Sequence, residues 1–168
     1  MKRFLITSLF VFVITYSFSQ EMNNTKLDIL FTSVSDTIQG EKGRWQFLIK
    51  DVMFICITDS THNRMRIMSP IIEVKNLDEN AKTLALMANY HTVLDVKYAI
   101  SDDVLWSVFI HPLRELTIKQ AEDAVSQVYF ANKTFGTTFT STSLVFPGSL
   151  TNKNEQPKNE EEFKKEKF

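Results

Sequence analysis

The stretch "HNRMRIMSPI" begins at His62 and sets Arg64 and Arg66 two positions apart inside an apolar run. In a β-strand successive side chains point to opposite faces. His62, Arg64, Arg66 and Met68 would then share one face, and Met65 and Ile67 the other. Two neighbouring guanidiniums repel each other, and a carboxylate or phosphate held bidentately would relieve that repulsion. Arg64, Arg66 and His62 are therefore the candidate residues for gripping an anion or a partner. The plainer alternative is the wet side of a sheet, with Asp59, Glu73 or Asp95 as counter-charges. Strand-face charges mostly meet neighbours and water, which favours that alternative.

Little else in the chain could do chemistry. The three histidines, His62, His91 and His111, are far apart in sequence and lack the spacing of paired metal ligands with each other or with Cys56. There is no HExxH, no GxSxG and no Gly-rich phosphate loop. Cys56 lies in the apolar run "VMFICIT" and reads as a small buried hydrophobe, not a nucleophile. Asp102 and Asp103 lack further oxygen ligands and read as turn residues. The acceptor patterns at Asn23 and Asn132 read as chance matches, since Asn132 falls within an expected helix. No enzyme, metal site or cofactor is expected, and a hydrolase is the weakest of the alternatives.

The 168-residue length allows one compact domain, and a hydrophobic content of 43% with 14 Phe excludes a wholly disordered chain. Only 4 residues are Gly, which argues against a turn-dense all-β sandwich. A formal charge of −1 gives no reason to expect a nucleic-acid partner.

Lys2 and Arg3 precede an apolar run from Phe4 to Phe18, and Ser17 and Ser19 then flank a cleavage point before Gln20. That is the pattern of a secretory signal over residues 1–19. The run is shorter than a membrane span and diluted by Thr7, Ser8 and Thr15. Its removal takes away two basic groups and lowers the charge to −3. The expected product is exported, periplasmic or secreted, with no stable membrane span. Residues 151–168 carry five Lys and five Glu with Pro157 and read as a solvated, disordered tail. The domain is thus expected over residues 20–150, without a disulfide to staple it.

Within it, Leu27, Leu30, Phe31, Val34 and Ile38 recur at helical spacing and predict a helix over residues 24–39. Three strands follow. "RWQFLIK" puts Trp45, Phe47 and Ile49 on one face; "DVMFICITD" is apolar on both, as for a strand covered on both sides. "RMRIMSPIIEV" alternates up to Pro70, which suits an edge or a bulge. A second helix starts near a cap at Asn76, with a narrow stripe of Leu77, Ala81, Leu84, Ala85 and Ala88. Two further strands flank Asp102–Asp103, placing Trp106, Val108 and Ile110 on one face and Leu105, Phe109 and His111 on the other. A last helix is capped by Thr117 with Gln120 and buries Ile118, Ala121, Val125, Val128 and Phe135. The order α-β-β-β-α-β-β-α predicts an α+β domain, with three helices on a single antiparallel five-stranded sheet.

"NRMRIMSPI", "HTVLDVKYAISDDVLWSVFIHPLRELT" and "TFGTTFTS" resemble the YbjN-like family, whose fold is that of the type III secretion chaperones of the CesT/Tir-chaperone kind. Arg64, Arg66, Pro70, Ala99, Trp106, His111, Pro112, Phe135 and Gly136 carry the resemblance, which spans residues 28–143. It implies a compact domain that often pairs into homodimers, and a chaperone-like or regulatory role without catalysis. Those chaperones work in the cytosol, whereas this chain begins with an export pattern. The expectation is an exported, non-enzymatic domain that binds a protein client or a second copy of itself. The stripe Leu77, Ala81, Leu84, Ala85 and Ala88 is the candidate dimer or client face. The alternative is a small anion-binding module using Arg64 and Arg66.

Overall fold

The computed structural model describes residues 21–142. The expected signal (1–19) and charged tail (151–168) lie outside them. Among the described residues no helix is long and apolar enough to cross a membrane.

Helix α1 (Asn24–Val34) begins at Asn23, whose side chain accepts from the Lys26 N–H at 3.0 Å, and it buries Leu27, Leu30, Phe31 and Val34. It stops before residue 39. The Ser35 N–H and hydroxyl both donate to the Phe31 carbonyl, at 3.1 and 2.6 Å, and close the last turn. The Asp36 N–H then reaches the Leu48 carbonyl at 2.8 Å, and a sheet ladder begins. The residues expected as the helix end form strand β1 (Thr37–Glu41) instead. Ile38 fits either period, and pairing with the next strand decides between them. The sheet therefore has six strands, not five.

The other elements fall where the periodicity puts them: β2 (Arg44–Ile49), β3 (Val52–Asp59), β4 (Arg64–Glu73), α2 (Glu79–His91), β5 (Lys97–Ser101), β6 (Val104–His111) and α3 (Ile118–Thr134). The strands are ordered β1-β2-β3-β4-β6-β5, and every pair is antiparallel. Asp102 and Asp103 both take positive φ, 49° and 59°, as a two-residue turn of the mirror-image type requires. Proline belongs at an irregularity in a sheet, and the β4–β6 register shifts between Pro70 and Ile72.

Helices α1 and α3 pack on one face of the sheet. Phe31 stacks on Phe47 (4.6 Å) and meets Trp45 edge-on (5.5 Å), while Phe47 stacks on Phe54 (5.1 Å). From α3, Ala121, Ala124, Val125 and Val128 are buried, and the Thr117–Gln120 capping box is formed. Ile118 is 44% exposed and does not join the buried stripe, because it lies in the first helical turn. Polar contacts fix the position of α3. Asn132 donates to the Ser69 hydroxyl and the Pro70 carbonyl, both at 2.8 Å, and Ser107 donates to the Val128 carbonyl at 3.2 Å. Ser69 and Ser107 are fully buried, so these bonds satisfy groups that would otherwise destabilise the core.

The opposite face carries no described helix. Strand β3 was expected to be covered on both sides, yet Met53 and Ile57 are each 36% exposed. Trp106 lies on this side too, half-buried, with its indole N–H on the Ser101 carbonyl at 3.1 Å, and so is not a core residue.

Gly40 shapes the β1–β2 hairpin. Its φ is +110°, and an added Cβ would stand 2.3 Å from the Arg44 carbonyl oxygen. Gly40→Ala should therefore lower stability by about 1–3 kcal/mol. A urea unfolding curve indistinguishable from wild type would contradict this placement.

Candidate functional site

The alternation of β4 puts Arg64 and Arg66 on the open face, both exposed, with Met65 and Ile67 in the core. Arg66 is paired in register with Ile57 of β3 and Ile110 of β6, and Arg64 with Asp59. Arg44 of β2 is the other cross-strand neighbour of Ile57. The two guanidiniums thus bracket one isoleucine, with backbones about 10 Å apart at ordinary strand spacing. The sequence alone does not reveal Arg44 as a third member, because only the β2–β3–β4 register brings it there.

His62 does not join this row. It sits in the turn after β3, where its Nδ1 lies 2.7 Å from Asp59 Oδ2 and its N–H donates to Asp59 Oδ1 at 2.9 Å. The backbone N–H of His62, then its ring, hold the Asp59 carboxyl below its usual range. The other expected counter-charges are also engaged elsewhere. Glu73 pairs with Lys75 at 2.5 Å, and Asp95 accepts from the Gln127 amide at 3.2 Å. The Arg64 guanidinium donates to the Asn63 carbonyl at 3.4 Å, and the Arg66 side chain makes no hydrogen bond or ion pair with any described residue. A shallow cavity of about 270 Å³ lies toward β1 and β2, lined by residues that include Thr37, Gln46, Leu48 and Met53, and its lining does not include Arg64 or Arg66.

On β3, β4 and β6 the open face beside the cavity is largely apolar, whereas on β2 Gln46 separates Leu48 from Arg44. Adjacent across the strands run Leu48, Met53, Ile55, Met68 and Val108, with Ile57 and Ile110 near the arginine end. Ile110 is 59% exposed. Val108 is buried yet stands apart from the core cluster, as expected for a residue on the far side of the sheet.

The stripe on α2 is divided. Leu77, Ala85 and Ala88 are buried within this domain, Ala81 is half-buried, and Leu84 is 38% exposed. Ala85 and Ala88 therefore allow close packing on the protein's own core, while Ala81 and Leu84 remain partly accessible. The helix starts at Asp78, whose carboxylate accepts from the Asn80 N–H at 2.8 Å, and not at Asn76. Its outer side exposes Leu86, Met87 and Tyr90, at 70%, 41% and 82%. Asn89 binds the backbone of β5 like an extra strand residue. It donates to the Tyr98 carbonyl (3.1 Å) and accepts from the Tyr98 N–H (2.7 Å).

Groups that could react are occupied or withdrawn. Burial pushes the Cys56 thiol far above its ordinary pKa. The His111 ring stacks on Phe109 and contacts the Pro112 carbonyl at 2.8 Å, and His91 meets Tyr90 edge-on. Among the described residues no three His, Cys, Asp or Glu side chains cluster as a metal site would need.

An antiparallel sheet with helices on one face and a second, open face is the architecture of a secretion-chaperone-like α+β domain. No family model matches the sequence, and no curated protein matches it. Solved structures do resemble it. The chain is similar to a chain of the HopA1–SchA chaperone–effector complex, at 12% identity and a TM-score of 0.51, covering 66% of this chain and 90% of that one. It also matches a chain of the ExsC–ExsE complex, at 10% identity and a TM-score of 0.49, covering 68% and 97%. The first likeness supports the secretion-chaperone-like fold.

Because Cys56 is withdrawn as a nucleophile, the native protein should resist alkylation by iodoacetamide at pH 8, and the urea-unfolded chain should react. Mass spectrometry reads both states, and rapid native labelling would contradict a buried thiol.

Proposed function

We propose that this protein is a non-enzymatic, chaperone-like module that binds apolar segments of other proteins on the open face of its sheet. The carrying observation is the apolar patch of Leu48, Met53, Ile55, Met68 and Val108, mostly half-buried, with the more exposed Ile57 and Ile110 beside it and no described helix above. Partly exposed apolar side chains gathered on one face are a common mark of protein–protein recognition. The likeness to a chain from a chaperone–effector complex supports the same reading through the fold. The YbjN-like assignment rests on the sequence phrases, and export rests on residues 1–19, giving a client in the periplasm or outside the cell. The exposure of Arg64 and Arg66 on an open strand face gives a small-anion pocket less support.

The test is suppression of aggregation. The protein should lower light scattering from a chemically unfolded, apolar-rich test protein at near-stoichiometric ratio. An Ile57→Glu/Ile110→Glu variant should lose most of that effect with little change in melting temperature, since both side chains are partly exposed. Equal suppression by the variant would move the binding elsewhere, and no suppression by the wild type would refute the proposal. Self-association has its own surface, the exposed Leu86, Met87 and Tyr90 of α2. Sedimentation of Leu86→Asp against wild type reads it separately.

A further inference from the structure

We infer that the segment recognised by the open face is an apolar run joined to a cluster of carboxylates. The apolar run seats at the Leu48–Met53 end, and the carboxylates reach Arg44 and Arg66. This deepens the protein-binding reading and rests on it. Its basis is the charge left uncompensated at one end of an apolar surface.

On this face the acidic neighbours of the arginines are Glu41, paired in register with Arg44, and Asp59, paired in register with Arg64. Neither forms an ion pair with an arginine, and Asp59 is held by His62. The ion pairs formed among the described residues involve lysines and His62, never these guanidiniums. Arg44 and Arg66 flank Ile57 from opposite sides, so one carboxylate above Ile57 would face both. Bidentate pairing with a planar guanidinium adds orientation as well as attraction. Beside Ile57 and Ile110 the local dielectric is lower than in water, which strengthens the pairing.

The spacing defines the ligand further. Met53 and Ile57 lie on the same face of β3, four residues apart, a separation of about 13 Å along a strand. An extended segment covers that distance in about four residues, and a helix in about nine. Lys97, near Val108 on β5, does not extend the cationic end. Its ammonium already donates to the Leu94 and Val96 carbonyls, at 2.6 and 3.1 Å.

The experiment uses the full chain and three fluorescein-labelled peptides that share one Leu/Phe run. The run is joined to glutamates, to glutamines or to lysines. Fluorescence anisotropy should rank them glutamate first, glutamine next, lysine last. Arg44→Gln/Arg66→Gln should weaken the glutamate peptide about tenfold, leave the glutamine peptide unchanged, and make the two equal. Raising the salt to 0.5 M should narrow the gap between the peptides in the wild type but not in the variant. Equal binding of glutamate and glutamine peptides to the wild type would overturn the inference while leaving the apolar reading intact. Binding of no peptide would overturn both. Displacement of the glutamate peptide by millimolar inorganic phosphate would overturn it by assigning the arginines to a small anion.

Discussion

The fold depends on the packing of Phe31 and Phe47 where α1 meets the sheet. Their rings stack at 4.6 Å, Trp45 meets Phe31 edge-on, and Phe54 continues the stack across β3. Aromatic side chains bury large areas and prefer such geometries, so this cluster anchors α1 firmly on the sheet. It also selects the side on which the helices sit. Helix α3 rests against the same face and is held there by Asn132, Ser69, Ser107 and the Val128 carbonyl. With α1 and α3 committed to that face and α2 held against β5 through Asn89, no described helix covers the other.

That asymmetry gives the open face its chemistry. A sheet needs apolar residues on its outer side only where something packs there. Here Ile57, Ile110 and Met53 are partly exposed on that side, and the arginines among them form no ion pair with a described residue. Folding stability does not explain this arrangement: exposed isoleucines gain little from burial, and unpaired guanidiniums gain nothing from each other. The proposed recognition of a complementary surface would account for it.

Much of this was legible in the sequence, and the exceptions have physical reasons. Alternation in "RWQFLIK" and "RMRIM" assigned inward and outward residues correctly, since one residue of slip reverses every side chain. The Asp102–Asp103 turn and the Thr117–Gln120 cap are local devices, decided within four residues. β1 was not legible. "TIQGE" is short and mostly exposed, and only pairing with β2 makes it a strand. The double-sided run "VMFICIT" looked fully buried because apolar residues on a partly exposed face and those in a core are alike in composition. Arg64 and Arg66 stood out as a pair at once. Arg44, twenty residues upstream of Arg64, reaches them only through the register of three strands.

Asn89 has a consequence for how the chain assembles. By answering the Tyr98 N–H and carbonyl with one side-chain amide, it ends the sheet where a seventh strand would otherwise begin. The stopper comes from α2, which precedes β5 in the chain, and it closes the β5 border at Tyr98, near the start of the strand. A further strand adding there would first have to displace the Asn89 amide.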